Sequence, residues 1–182
     1  MTEGPRPVRR IVTMDDAGGT SVAVEDGPVR DVRTDPARPG FVSTRVWITD
    51  TTPVRIKDAR AALTLPHRIE PPPRGSICRI VTFPPDAAFW NNVGEPEVAA
   101  FFRAMGSPAA STYSPKAPHP YMQKTRTLDI CIVLEGELTL VLDTGEVTVK
   151  QGEFVINRGV NHAWSNRSGK PAVVSIASHD GK

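Results

Sequence analysis

One part of the chain collects polar side chains that could transfer protons or bind a small molecule. Equal parity along a predicted strand places three of them on one face, namely Gln123, Thr125 and Asp129. On a later strand, His162 and Trp164 likewise share a face. Because buried polar side chains are costly unless they line a cavity, the pattern predicts a small-molecule site inside the protein. His162 and Asp129 are the predicted catalytic pair, since imidazole titrates near neutral pH.

Each of these residues also has a structural alternative. A histidine such as His162 can hydrogen-bond a neighbouring strand, and a buried Asp129 needs a positive partner, a proton or several donors. The neutral side chains of Gln123 and Thr125 are predicted to bind substrate, and otherwise satisfy nearby backbone groups or water. Trp164 is interpreted as a wall of the pocket, with ordinary packing as the alternative.

Three further residues near these strands could contribute to the same site. Cys131 has the parity of the first strand and is a candidate for the pocket lining, although a buried cysteine is usually an apolar filler. Asn166 is interpreted as a turn or network residue. His119 could supply an additional ligand if the chain curves inward, but its two proline neighbours favour a surface turn.

Short strands separated by turns must position these residues. A Gly-rich turn between 10–13 and 21–24 predicts a hairpin, and the β-branched residues of 76–83 predict a strand that ends at two prolines. The intervening segments are predicted as an exposed connection, a strand and a long surface loop: 28–40, 41–49 and 50–75.

Tight turns divide the last third of the chain into a regular series of strands. The six predicted strands are 122–134, 137–142, 145–150, 153–157, 162–166 and 172–177. Such a series predicts a sandwich or barrel. The predicted organisation is an N-terminal arm with strands that extend the barrel, residues 1–75, and a barrel domain, residues 76–182.

One helix is predicted before this series. Pro96 stands where a first-turn proline is tolerated, and Gly106 ends the pattern. The apolar stripe of the helix is Val98, Phe101, Phe102 and Met105. It is predicted to cover one end or face of the sheet.

Residues 119–178 resemble the cupin superfamily of small jelly-roll barrels. In the first cupin motif two His stand one residue apart, with a carboxylate and a Gly at fixed spacing after them. Here those places hold Gln123, Thr125, Asp129 and Gly136. The second motif runs from a Gly through another Gly to a His and an Asn, which correspond here to Gly152, Gly159, His162 and Asn166. The resemblance implies an all-β, cupin-type jelly-roll β-barrel with one short helix and a strand-rich N-terminal arm.

The departures from this motif bear on metal binding. Metal-binding cupins use three His and one carboxylate, of which only His162 and Asp129 have counterparts here. One imidazole and one carboxylate make a poor site for Fe(II), which favours two His and a carboxylate. We therefore expect no certain cofactor, and at most a weakly bound divalent metal on His162, Asp129 and Gln123.

Composition and charge limit the classes of function. The chain has 182 residues, with 39% apolar residues, 18 Pro and 14 Gly, which fits one turn-rich domain and disfavours a helical bundle. With 22 Lys and Arg against 20 Asp and Glu, the net charge is +2. We find no cluster of five or more like charges in the sequence, so nucleic acid is not the expected partner.

The sequence also predicts the compartment and the assembly. The stretch 1–6 lacks the apolar run of a secretory signal, and no segment is apolar enough to cross a membrane, so a cytoplasmic protein is expected. In such a compartment Cys78 and Cys131 are expected to remain reduced. Because the long strand-rich arm has edges that need covering, a homodimer is predicted in which the arm crosses to the partner.

Two functions remain open at this point. The first is a lyase or isomerase that acts on a small carbonyl compound or organic acid, by dehydration, decarboxylation, tautomerisation or ring closure, with His162 and Asp129 moving protons. The second is a binding or sensing module that holds a small ligand without turnover. The contacts of Asp129 and His162 in the folded protein discriminate between them.

Overall fold

Antiparallel strands dominate the fold. The computed structural model describes residues 7–57 and 61–182. The N-terminal stretch 1–6 and residues 58–60 of the predicted loop, which include Asp58 and Arg60, lie outside the described residues. No helix in the described part of the chain is long and apolar enough to cross a membrane.

The described residues form eleven strands and one α-helix. The strands that precede the helix are β1 (Arg9–Asp15), β2 (Ser21–Pro28), β3 (Val32–Thr34), β4 (Val42–Thr49) and β5 (Ser76–Phe83). The helix α1 spans Glu95–Ala104. The strands that follow it are β6 (Thr127–Glu135), β7 (Glu137–Leu142), β8 (Glu146–Lys150), β9 (Phe154–Arg158), β10 (His162–Ser165) and β11 (Ala172–Asp180). Short 3-10 turns lie at Ala61–Thr64, Asp86–Ala88, Trp90–Asn92 and Pro108–Ala110.

Two sheets build the body of the molecule. The larger has six strands in the order β3-β4-β5-β11-β6-β9, and the smaller has three in the order β10-β7-β8. A buried apolar cluster joins them, with Val81, Val133 and Val174 from the larger sheet and Leu140 and Trp164 from the smaller. Side chains alternate across each strand, so every second residue of β5, β6 and β11 faces this interior. The all-β prediction is confirmed.

The helix closes part of this core. Its predicted apolar stripe is buried in the same cluster, with Val98 and Phe102 each 1% exposed. The Glu97 side chain accepts a hydrogen bond from the Gly94 N–H at 2.9 Å, which fixes the start of the helix. Gly106 follows at φ 70°, a left-handed conformation in which a Cβ would lie 2.1 Å from the His67 carbonyl oxygen. The sequence prediction for this helix is confirmed.

Several sequence predictions for individual segments are wrong. The predicted strand 122–134 begins only at Thr127, and the residues before it make isolated bridges. The connection 28–40 contains β3 and the deeply buried Arg38, because an ion pair and aromatic contacts hold that arginine inside. The segment 50–75 contains a 3-10 turn and buries Ile69. The division into residues 1–75 and 76–182 stays a prediction, with β3 and β4 lying in the six-stranded sheet.

Candidate functional site

Three neighbouring strands carry the polar residues of the interior. Asp129 on β6 stands directly opposite Asn157 on β9, which places the two side chains about 5 Å apart on the inward face. On the other side of β6, Cys131 pairs with Ile176 of β11, and Ile176 pairs with Arg79 of β5. The inward face of the larger sheet therefore carries two adjacent rows of residues, one with Asp129 and Asn157 and the next with Cys131 and Arg79.

His162 on β10 of the smaller sheet contacts these polar residues through Asn157. Its backbone exchanges two hydrogen bonds with Gln123, at 2.8 and 2.9 Å, so the two side chains stand opposite each other. The ring Nδ1 lies 3.0 Å from the Val160 carbonyl oxygen and 2.9 Å from the Asn157 amide nitrogen. Because a carbonyl can only accept, the contact with Val160 favours the tautomer with the proton on Nδ1. Nε2 is then the acceptor, with the Asn157 amide at 3.1 Å and the Gln123 amide at 3.5 Å.

Burial dominates the protonation of this histidine. Burial lowers the pKa of His162 below its usual 6.5, although the Val160 carbonyl and the Asp129 carboxylate raise it and Arg79 lowers it further. Desolvation therefore outweighs the charge of Asp129. At neutral pH the imidazole is therefore neutral and its Nε2 lone pair can accept a proton.

This lowered pKa predicts acid destabilisation. Above pH 6.5 the imidazole is neutral in both folded and unfolded chains, and the contribution of His162 to stability is fully present. As the pH falls below that value, the unfolded chain binds a proton that the folded chain binds only at lower pH, so stability is lost. Urea unfolding between pH 7.5 and 5 should show the free energy of unfolding falling faster in the wild type than in His162→Gln. A difference between the two proteins that stays constant over this range would contradict the expectation.

Asp129 is buried without a hydrogen-bond partner. It is 7% exposed, and its Oδ1 atom accepts no hydrogen bond from any described residue. Within the part of the chain that the structure describes, no hydrogen bond joins Asp129 to His162, so Asp129 acts on the imidazole through its charge alone. Asn157 stands opposite Asp129 and contacts the His162 ring. A carboxylate kept in the interior with an unpaired oxygen is costly, and such residues mark functional sites more often than cores.

Sequence reasoning missed Arg79, a buried arginine of this interior. It is 6% exposed, and none of the hydrogen bonds or ion pairs between described residues involves its guanidinium. Burial lowers its pKa, whereas Asp129 raises it. The alternation along β5 could have identified Arg79, because it lies on the same face of the strand as the apolar residues Ile77 and Val81.

A small cavity lies next to these groups. Water-molecule centres can occupy about 40 Å³ of it, which is room for about three water molecules. Its polar lining comes from Arg38, Ser43, Arg79, Tyr121 and Gln123, and its apolar lining from Phe41, Ile69, Val81, Phe83, Phe101, Met105, Trp164 and Ile176. Of the predicted site residues, the cavity brings together Gln123 and Trp164. His162 and Asp129 do not line the cavity. His162 contacts the cavity residue Gln123, and Asp129 lies on the inward face of β6.

Two predicted pocket residues, Thr125 and Cys131, do not line this cavity. The Thr125 hydroxyl lies 2.7 Å from the Thr127 hydroxyl, which satisfies both groups locally. Cys131 is buried beside Asp129, and burial raises the pKa of its thiol to about 12, so the thiol stays protonated. Cys78 is also a free thiol, as expected.

The prediction of a surface turn at His119 is wrong. The side chain is 1% exposed, its Nδ1 accepts the Tyr121 N–H at 3.1 Å, and its Nε2 lies 3.6 Å from Asp86 Oδ2. It therefore supports a buried turn and does not approach Asp129. Asn166 has the predicted network role, since its amide donates to the Phe83 and Lys170 carbonyls at 2.9 and 2.8 Å.

These residues do not fit a cupin-type metal set. Within residues 7–57 and 61–182, no three His, Cys, Asp or Glu side chains stand close enough to hold a metal ion. The Nε2 atom of His162 already faces two amides, and among the described carboxylates only Asp129 acts on the imidazole. One imidazole with one carboxylate lacks the strong ligands that transition metals require.

Weak metal binding stays a prediction. Any divalent ion held by His162, Asp129 and Gln123 should be substoichiometric and lost on dialysis, because most of its ligands would be water. Metal analysis of protein purified without chelator tests this. Stoichiometric zinc or iron that survives dialysis would contradict it.

Comparison with known proteins gives the family. Residues 111–178 match the cupin domain family, Cupin_2. This part of the chain is a cupin domain. The match covers both motif strands and places Gln123, Asp129 and His162 of this cupin inside the domain.

Among solved structures, this cupin resembles a putative ethanolamine utilization protein from Salmonella typhimurium, at TM-score 0.45 and 11% identity over 98% of this chain and 100% of that one. It also resembles a cupin 2 conserved barrel domain protein from Salinispora arenicola, at TM-score 0.43 and 14% identity over 87% and 91%.

Curated relatives of this cupin come from fungi. Over 48 residues it is 48% identical to phomopsin biosynthesis cluster protein C' of Diaporthe leptostromiformis, covering 26% of this chain and 25% of that protein. Over 50 residues it is 42% identical to oryzines biosynthesis cluster protein J of Aspergillus oryzae, covering 27% and 28%. Over 128 residues it is 29% identical to the cupin-domain-containing oxidoreductase virC of Hypocrea virens, covering 68% and 50%. These matches span between a quarter and a half of the relatives' lengths.

Proposed function

We propose that this cupin is a small-molecule enzyme of the lyase or isomerase type that transfers protons on a small organic acid or carbonyl compound. The observation that carries the proposal is the pair of unpartnered buried charges, Arg79 and Asp129, on the inward faces beside the cavity. Unpaired charges in an interior strengthen electrostatic interactions with a bound, charged reactant. The names of the two biosynthesis cluster relatives support a biosynthetic role.

The geometry supports a role for each residue. A ligand that replaces the weak 3.5 Å contact of the Gln123 amide places an acidic C–H next to His162 Nε2. The proton moves to Nε2, and the electron pair moves onto the substrate oxygen as an enolate. Arg79 and the displaced Gln123 amide donate hydrogen bonds to that oxygen, and Asp129 stabilises the imidazolium. The imidazolium then returns the proton to another atom or to a leaving group.

The chemistry of this scheme needs no redox step. Dehydration, decarboxylation, tautomerisation and ring closure all begin or end with such a proton transfer. The name of the Hypocrea virens relative includes an oxidoreductase activity, and the equivalent for this cupin would need a cofactor site that its single imidazole and single carboxylate do not fit.

A second candidate is a binding or sensing cupin without turnover. One observation favours it: both amides around His162 Nε2 already satisfy the ring, and the cavity lining contains Gln123 in place of His162. In that case the ligand would meet only Arg79, Gln123 and the apolar wall.

Turnover of a defined panel separates the two candidates. We would incubate wild type and Asp129→Asn with small hydroxy acids, oxo acids and their esters, and follow products by NMR. The enzyme proposal predicts at least one product that forms with the wild type and not with the variant. Products that form equally with both proteins would contradict the role given to Asp129, and saturable binding without any product would favour the second candidate.

The assembly proposal concerns the hairpin of β1 and β2. A two-stranded hairpin is marginal on its own, and this one exposes 53% of Ile11 and 47% of Met14. Its contacts to the body include the Arg10 guanidinium, which donates to the Val46 carbonyl at 2.9 Å and lies 5.5 Å from the ring centroid of Trp47. We therefore keep the prediction of a homodimer in which the hairpin crosses to a second copy.

Light scattering tests this homodimer at micromolar concentration. Deletion of residues 1–28 should give monomers while sparing β4, which belongs to the six-stranded sheet. The matched control replaces two exposed residues on the outer face of that sheet, Phe154 and Ile156, by serine. A monomeric wild type would contradict the dimer, and a dimer dissolved only by the control would contradict the crossing arm. The cytoplasmic location and the absence of nucleic-acid and membrane partners also stay predictions.

A further inference from the structure

Three arginines are deeply buried among the described residues, and two of them have an acidic partner, although Nη2 of Arg38 has no hydrogen-bond partner. Arg38 pairs with Asp35 at 2.8 Å and lies over the ring of Tyr121 at 3.6 Å. Arg45 pairs with Asp31 and donates to the carbonyls of residues 65 and 66 at 2.9 and 3.0 Å. Such contacts are what a buried guanidinium needs, because it stays charged at any ordinary pH.

Arg79 lacks all of these contacts. Its Nε has no hydrogen-bond partner among the described residues, and its guanidinium lines the cavity. Asp129 and Glu70 act on it only through their charges. Glu70 is itself occupied, since it accepts a hydrogen bond from the Ser107 hydroxyl. The fold therefore supplies partial charge compensation for Arg79 and leaves its donors free.

We infer that Arg79 binds the carboxylate of a small monocarboxylic acid in the barrel cavity. The planar fork of a guanidinium matches a carboxylate in two parallel hydrogen bonds, which Lys or an amide cannot reproduce. The inference deepens the proposed function, on which it rests for the identity of the cavity as the reaction site.

The cavity limits the size and polarity of the acid. Room for about three water molecules corresponds to a short chain of a few heavy atoms. The wall beside Arg79 is apolar, with Val81, Ile176 and Trp164, so the tail of the acid is apolar or carries one carbonyl that meets the Gln123 amide. Larger or multiply charged acids would bury charge without a partner.

Binding of simple probes tests this assignment on the whole chain. Propanoate is titrated against the wild type, with propanamide as the uncharged probe of equal shape and inorganic phosphate as a second anion. The readout is the arginine Nε–H signals in NMR spectra, together with the melting temperature. We expect saturable shifts of the Arg79 signal with propanoate, none with propanamide, and weaker shifts with phosphate.

Two variants complete the test. Arg79→Gln should weaken propanoate binding at least about tenfold, as expected for a lost charge-assisted hydrogen bond. The control, Arg158→Gln, changes an exposed arginine on β9 and should bind as the wild type does. If Arg79→Gln does not fold, the wild-type Arg79 signal still decides the question.

The outcomes separate this inference from the proposed function. Equal binding of acid and amide, unchanged binding in Arg79→Gln, or shifts confined to Arg38 would overturn the carboxylate subsite. Tighter binding of phosphate than of propanoate would also overturn it. Propanoate bound at Arg79 in a protein without turnover on any acid would leave the subsite standing and remove the enzyme proposal.

Discussion

Asp129→Asn is expected to lower turnover at least about a hundredfold while the melting temperature changes by only a few degrees. The substitution keeps the shape of the side chain and removes its charge. Asp129 Oδ1 has no hydrogen-bond partner among the described residues, so the substitution breaks no hydrogen bond there, and Glu70 still compensates part of the charge of Arg79. A proton acceptor at His162 loses the carboxylate that stabilises its charged form.

Comparison with other variants gives this result its meaning. His162→Ala should lower turnover to a similar level, because it removes the Nε2 that accepts the proton. Glu137→Gln changes an exposed carboxylate on the neighbouring β7 and should leave turnover unchanged. Full turnover in both Asp129→Asn and His162→Ala, accompanied only by lower melting temperatures, would show that the pair is structural.

Asn166→Ala is expected to destabilise the fold by about 3 kcal/mol, which lowers the melting temperature by about 10 °C. The Asn166 side chain is fully buried and makes four hydrogen bonds. It donates to the carbonyls of residues 83 and 170 and accepts the backbone N–H and the hydroxyl of Ser168. Removing it leaves the buried Phe83 carbonyl without that partner. Thermal unfolding measures the loss.

Asn161→Ala is the matched control for this substitution. The half-buried Asn161 precedes β10, donates to the Asp143 carboxylate and accepts from the Thr112 hydroxyl, each at 2.6 Å. Water can replace both of these exposed hydrogen bonds, so the loss of Asn161 should cost about 1 kcal/mol or less. Similar melting temperatures for the two variants would contradict the account of Asn166. Binding of propanoate at saturation should survive in Asn166→Ala below its melting temperature, because this residue lies outside the cavity lining.

Local patterns in the sequence predicted much of this architecture. The strand Ser76–Phe83 was predicted with the bounds that the structure shows, since its β-branched residues alternate and two prolines stop it. The helix followed from its apolar stripe, because the spacing of Val98, Phe101 and Phe102 fits one face of a helix. The motif resemblance assigned Gln123 and His162 to one site, and the structure joins their backbones.

Long-range contacts explain what the sequence did not predict. Arg38 lies in a Pro-rich segment that resembles an exposed loop, and only the folded chain brings Tyr121 and Asp35 around it. His119 stands between prolines typical of a surface turn, yet Asp86 and Tyr121 enclose it. Alternation along the strand does not by itself predict a buried Arg79, because a charged residue is rarely buried without a partner.

Exchange of substrate protons with solvent tests the central claim most directly. Wild type and Asp129→Asn are incubated in D₂O with a panel of short 2-oxo acids, and the loss of the C–H signal next to the carbonyl is followed by NMR. We predict that the wild type exchanges at least one acid about a hundredfold faster than both buffer and the variant. An acid that binds at Arg79 while every panel member exchanges at the buffer rate would contradict proton transfer in this cavity.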